Sequence, residues 1–102
     1  MQTAAFEILA DPSRRRILGL LLEGERSAGD IVRALELSQP AVSKHLKTLR
    51  EAGFAEVRGD AQRRLYRLRP EPLAEIDAWL EPFRRYWALK LDKLEQYLDE
   101  HS

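Results

Sequence analysis

The segment Leu37 to Gly53, LSQPAVSKHLKTLREAG, constrains the fold more than any other stretch because a helix start, an apolar stripe and a helix stop follow one another without a gap. Ser38 is a good N-cap, Gln39 and Pro40 suit a first turn that needs no N–H partner, and Gly53 ends the run. The spacing predicts a helix over about residues 39–52. Val42, Leu46 and Leu49 recur at intervals of four and three and form one core-facing stripe. Gln39, Ser43, Lys44, Lys47 and Arg50 then fall largely on the outward side, a face of amide, hydroxyl, ammonium and guanidinium donors with no acid before Glu51. Such a face suits a groove lined with base-edge acceptors and phosphates. An ordinary amphipathic surface helix shares the pattern, so the flanking segments have to decide.

Upstream, Ser27-Ala28-Gly29-Asp30 has the form of a capping box with Asp at N3, opening a short helix over about 28–35 with Ile31, Val32 and Leu35 as its apolar stripe. Glu36-Leu37-Ser38 is then a connection of helix-turn-helix length, so residues 27–53 read as that motif. Asp11-Pro12-Ser13 opens an earlier helix through Ile17, Leu18, Leu21 and Leu22 that ends near Gly24. After Gly53 the helical period gives way to two short runs, 54–58 and 63–69, separated by Gly59-Asp60-Ala61-Gln62, with Gly59 and Asp60 expected to turn the chain. This β-hairpin, residues 54–69, would be a wing: Tyr66 and Leu68 point to the core, while Arg58, Arg63, Arg64, Arg67 and Arg69 stand ready for phosphates or a minor groove. A sheet edge protected by charge is the plainer alternative.

The expected fold class is therefore mainly α with a small β-hairpin wing, in a single domain over residues 1–102. A formal net charge of zero argues against nucleic acid only superficially, because the charge is unevenly placed. Residues 38–69 hold eight Lys or Arg against three acids, whereas the segments before and after carry net −1 and −4. Local field, not the total, governs the approach of a polyanion. The chain has no cysteine, which removes disulfides, thiolate metal sites and a cysteine nucleophile. The first residues, MQTAAFEILADPSRRR, lack the pattern of a secretory signal, and no apolar run approaches the roughly 20 residues needed to span a bilayer. A cytoplasmic protein without a membrane partner is expected. No nucleophile elbow, Gly-rich phosphate loop or catalytic cluster occurs, so an enzyme is not expected.

Pro70-Glu71-Pro72 ends the wing and starts a helical pattern over 72–98. Ile76, Leu80, Phe83, Trp87, Leu91, Leu94 and Leu98 form a stripe about six turns long, which Trp79, Tyr86 and Tyr97 widen. Pro82 is expected to kink the helix or split it. So small a core cannot cover this surface, so the helix is expected to pair with its counterpart in a second chain. Ile76, Trp79, Leu80, Phe83, Trp87, Leu91 and Leu94 would form that interface, joined by the N-terminal segment 2–10 around Ala4, Ala5, Ile8 and Leu9. Folding back onto its own domain is the alternative.

Taken together, Ala10 to Leu18 (ADPSRRRIL), Leu37 to Lys47 (LSQPAVSKHLK) and Leu49 to Phe54 (LREAGF) resemble the ArsR/SmtB family of bacterial winged-helix repressors, over about residues 6–98. The resemblance implies a homodimer joined through its first and last helices that binds an imperfect inverted repeat in double-stranded DNA and blocks transcription. Groove contacts would fall on Gln39, Pro40, Ser43 and Lys44, with His45 adjacent, either DNA-facing or interhelical. Lys47, Arg50, Arg63 and Arg64 would neutralise phosphates. The chain departs from the metal-sensing members: the region Gly29 to Ala34 has no sulfur, and among the acids of the last helix (Asp77, Asp92, Glu95, Asp99) His101 is the sole imidazole. It thus resembles the metal-independent branch, with no metal or cofactor and an inducing signal left open. Two alternatives stay open: an apolar ligand or partner protein held near Trp79, Phe83, Tyr86 and Trp87, and a winged-helix interaction module that binds no DNA.

Overall fold

The helix boundaries are set by side chains that satisfy the unpaired backbone groups at helix ends. In the computed structural model, which describes residues 3–60 and 62–101, the chain forms α1 (Thr3–Ala10), α2 (Pro12–Glu23), β1 (Arg26–Ser27), α3 (Ala28–Leu35), α4 (Gln39–Glu51), β2 (Ala55–Asp60), β3 (Arg63–Leu68) and α5 (Glu71–Glu100). Gln2 of the expected N-terminal segment, the Ala4 side chain and Ala61 of the hairpin connection lie outside the described residues. Asp11 caps α2 by accepting from the Ser13 and Arg14 N–H groups at 2.8 and 3.1 Å. At α3 the capping box is complete: the Asp30 N–H donates to Ser27 Oγ, and the Ser27 N–H donates to the Asp30 carboxylate. Ser38 Oγ accepts from the Ala41 N–H to start α4.

The run Arg14-Arg15-Arg16 has a structural use that the sequence pattern does not disclose. Arg14 donates to the carbonyls of Ile8 and Glu7, and Arg15 donates to that of Leu9, so the last carbonyls of α1 are closed by guanidinium groups from α2. Arg16 does the same for α3 through the Leu35 carbonyl. Beyond Leu35, Glu36 takes φ 55°, left-handed geometry for a residue with a side chain, and this bends the chain into α4.

Phe54, Ile17, Ile31, Leu46, Leu49 and Val42 are the largest fully buried side chains, so α2, α3 and α4 meet around one centre capped by the strands. Tyr66 is buried and Leu68 packs against the core, as the alternation requires. Four details differ from expectation. A third strand, β1, pairs with β3 (Arg26 opposite Tyr66), giving an antiparallel sheet in the order β1-β3-β2. Gly59 and Asp60 do not turn the chain; they continue the ladder opposite Arg64 and Arg63. Leu65, on the face opposite Tyr66, is also buried, flanked in register by Ser27 and Arg58. Leu22, expected in the core stripe of α2, is 74% exposed, because the buried arc of that helix closes with Ile17, Leu18 and Leu21.

Pro82 does not split the last helix, which runs unbroken from Glu71 to Glu100. Proline lacks the N–H that would bond the carbonyl one turn back. Arg84 bridges this turn: its guanidinium donates to the Asp77 carbonyl at 2.8 Å and also pairs with the Asp77 and Glu81 carboxylates.

The two faces of α4 should respond differently to truncation. Leu46→Ala should cost about 2–5 kcal/mol, whereas Ser43→Ala on the exposed face should change stability by less than about 0.5 kcal/mol, measured by urea unfolding at fixed protein concentration.

Candidate nucleic-acid interface

Burial of Val42, Leu46 and Leu49 locks the rotation of α4, and this leaves Gln39, Pro40, Ser43, Lys44, Lys47 and Arg50 exposed on its outer side. The expected donor face is thus continuous. The one sequence-picked residue of this helix that lies elsewhere is His45. It is half-buried, its Nδ1 is enclosed without a hydrogen-bond partner among the described residues, and it lies close enough to the start of α2 to act on the Asp11 carboxyl. Of the two placements open to it, His45 takes the interhelical one, because position 45 falls between the exposed arc and the Val42–Leu46–Leu49 stripe. The Asp11 carboxyl is held below its ordinary value, first by the Arg14 N–H, then by the Ser13 N–H and the charges of His45 and Arg14, with partial desolvation opposing.

The wing arginines separate into two groups. Cross-strand register places Glu56, Arg58, Arg63, Leu65 and Arg67 on one face of the sheet, and Ala55, Val57, Gly59, Arg64, Tyr66 and Leu68 on the other. On the first face the guanidinium groups are occupied within the chain. Arg58 makes a two-pronged contact with Glu25 (2.7 and 3.0 Å), Arg63 reaches Asp30 at 3.3 Å, and Arg67 pairs with Glu56 directly opposite. Arg69, just past β3, reaches Glu56 and Glu71. Arg58 holds the Glu25 carboxyl below its ordinary value, mainly by hydrogen bonding. Arg64, on the second face, is exposed and forms no ion pair with a described side chain. The same is true of Lys44, Lys47 and Arg50 on α4. The unneutralised positive charge of the central segment therefore concentrates on the outer face of α4 and on Arg64.

On α5, Trp79, Phe83, Trp87, Leu91 and Leu94 are exposed, whereas Ile76 and Leu80 are half-buried. Trp79 packs edge-on against Phe6 of α1 and beside Phe83. Ile8, expected at a subunit interface, is 8% exposed and belongs to the chain's own core, while Leu9 is half-buried against it. The reason is that α1 folds back on α2 under the arginine clamp described above. An apolar cleft of about 200 Å³, lined by Leu9, Leu18, Leu22, Leu68 and Leu73, opens beside α2 and away from the Trp79–Trp87 stretch. Among the described residues no group of three or more His, Asp or Glu side chains is gathered to hold a metal ion, and no helix is long and apolar enough to cross a membrane.

A helix-turn-helix with its second helix turned donor-side outward, followed at once by a basic hairpin, defines a winged helix-turn-helix DNA-binding domain. Residues 11–57 match the arsR family of bacterial regulatory proteins. The chain is 38% identical over 98 residues to the HTH-type transcriptional regulator Rv2034 of Mycobacterium tuberculosis, an overlap of 96% of this chain and 89% of that one. It is 46% identical over 77 residues to the arsenic resistance transcriptional regulator ArsR1 of Pseudomonas putida, 74% of this chain and 60% of that one. Among solved structures, an ArsR-like transcriptional regulator from Rhodococcus sp. RHA1 superposes with a TM-score of 0.75 at 26% identity, over 97% of this chain and 91% of that one. The chain belongs to the ArsR family. It is a DNA-binding transcriptional regulator and not an enzyme.

The capping box that orients α3 also sets an acid limit on the fold. The Ser27 N–H is the main group holding the Asp30 carboxyl below its ordinary 3.8, followed by the Ser27 hydroxyl, then Arg33 and Arg63. A depressed folded-state value means that the contribution is complete above the unfolded pKa and is lost as pH falls through the folded one. Urea midpoints should therefore decline below the ordinary 3.8, and Asp30→Asn should lower the neutral-pH midpoint and make that decline shallower. An equally steep acid decline in both proteins would assign it to other carboxylates.

Proposed function

We propose that this regulator is a cytoplasmic homodimeric repressor that grips an inverted-repeat operator with two copies of α4, and that no metal ion or other cofactor gates it. The observation that carries the reading is the outer face of α4, where exposed Gln39, Ser43, Lys44, Lys47 and Arg50, beside exposed Pro40, present donors and cations, with Glu51 in the last turn the one acid of the helix. Gln39 and Ser43 are positioned to read base edges. Lys44 reaches a guanine edge or a phosphate, while Lys47 and Arg50 fix register on the backbone. Two such helices related by a two-fold axis would engage half-sites about 34 Å apart.

The dimer is supported by α5. Phe83, Trp87, Leu91 and Leu94 form an exposed stripe on which no packing by another element of the chain is seen among the described residues, and the stripe begins at Trp79, itself still 43% exposed although Phe6 of α1 packs edge-on against it. Sheltering this much aromatic and leucine surface favours association by the hydrophobic effect. Metal independence is supported by donor chemistry. The chain has no thiolate, and His101, the imidazole nearest the acids of α5, stacks on Tyr97 and contacts the Tyr97 carbonyl.

Selection of bound fragments from randomised duplex DNA, followed by affinity and complex mass with and without EDTA, tests the whole reading. The expected result is an inverted repeat bound by two chains with chelation-independent affinity; a single bound chain, or loss of binding in EDTA that added metal restores, would overturn the corresponding part. Gln39→Ala with Ser43→Ala should relax base preference at discrete half-site positions, and an unchanged preference would remove α4's outer face from base reading. Replacing Phe83 and Trp87 together with Glu should yield monomers by sedimentation and weaken operator binding at least about tenfold through lost avidity, with the far-ultraviolet circular dichroism of the domain retained.

A further inference from the structure

The division of the wing arginines carries a consequence for specificity. Arg58, Arg63, Arg67 and Arg69 are each drawn onto a carboxylate of the same chain: Glu25 before β1, Asp30 in α3, Glu56 in β2 and Glu71 in α5. To contact DNA they would first have to leave a partner. Arg63 makes one contact, at 3.3 Å, to an Asp30 carboxylate that the Ser27 N–H and Arg33 also engage. Arg64 is exposed as they are but differs in face and in partners: it lies on the opposite face of the strand, no described carboxylate pairs with it, and its cross-strand neighbour is Gly59. A Cβ built on Gly59 would meet nothing within 4 Å, so the flank of Arg64 is open space and no side chain stands opposite it.

We propose that Arg64 is the residue by which the wing reads DNA shape: it enters the minor groove beside the half-site held by α4 and favours narrow, A·T-rich steps there. This rests on the reading of α4 as the major-groove helix. A hairpin that directly follows a helix lying in the major groove is carried toward the flanking backbone and the neighbouring minor groove. Narrow A·T minor grooves carry enhanced negative potential that attracts an inserted guanidinium, and the 2-amino group of guanine obstructs it. Arginine suits this because its guanidinium sheds water more readily than an ammonium. The carboxylate-bound arginines of the other face meanwhile keep the strand from binding any phosphate indiscriminately, so the wing adds preference rather than bulk affinity.

The test compares wild type, Arg64→Ala and Arg63→Ala on fragments selected from randomised duplex pools. Wild type should return half-sites flanked by enriched A·T steps, and Arg64→Ala the same half-sites without the enrichment. Replacing adenine by 2,6-diaminopurine at those steps adds a minor-groove amino group while leaving the major-groove edge as in A·T. This substitution should weaken wild type and Arg63→Ala about tenfold and Arg64→Ala less than about twofold. Equal loss in wild type and Arg64→Ala, or no loss in wild type, would overturn the role of Arg64 even with half-sites recovered. A wild-type selection that yields no half-site would overturn instead the operator reading on which this rests.

Discussion

The packing of Val42, Leu46 and Leu49 against Ile17, Ile31 and Phe54 is the contact on which the rest of the molecule depends. Rotating α4 to expose that stripe would bring Lys44 and Lys47 toward an apolar centre without partners, at a cost far above the stability of so small a domain. The helix therefore has one orientation, and its donor face has one direction. Phe54 extends the constraint into the wing. Its ring fills the centre, its N–H donates to the Leu49 carbonyl, and its own carbonyl accepts from the Arg69 N–H, so the base of the hairpin is tied to the end of α4.

Arginine placement explains how a chain with zero net charge presents a basic surface. Arg14, Arg15 and Arg16 are spent on helix-end carbonyls, and Arg58, Arg63, Arg67 and Arg69 on carboxylates. These exposed pairs contribute little stability one by one. Their effect is to withdraw charge from part of the wing, which concentrates the remaining field on Lys44, Lys47, Arg50 and Arg64. Field near the groove, not total charge, sets the encounter with a polyanion.

The last helix belongs to a different length scale. Thirty residues make it about 45 Å long, far longer than the small core it leaves, and only its first turns rest on that core through Leu73 and Ile76. The Arg84 contacts with Asp77 and Glu81 span the turn in which Pro82 withholds a backbone bond, and the helix continues through the proline as one element.

Local chemistry was legible in the residues themselves. Asp11, Ser27 with Asp30, and Ser38 start helices because a side-chain oxygen within three residues answers a free N–H, while Gly24 and Gly53 follow helix ends where the backbone leaves right-handed geometry. The periodic stripes of α4 and α5 follow equally from spacing, so the helix-turn-helix, the wing and the outward donor face could all be read before any contact was known. What depended on residues far apart in the chain could not. β1 has two residues and no alternation to detect; Leu65 is sheltered by neighbours on two other strands; Glu25 and Asp30 meet Arg58 and Arg63 across 33 positions. His45 and Ile8 were drawn inward for the same reason, since helix period gives the angle of a side chain but not what packs above it. The sequence by itself determined where the helices of the helix-turn-helix begin, end and turn their apolar sides, because those choices are made within one or two turns of chain. Only the tertiary structure decided which charges remain available to a partner, because neutralisation is settled by where folding brings a carboxylate and a guanidinium together.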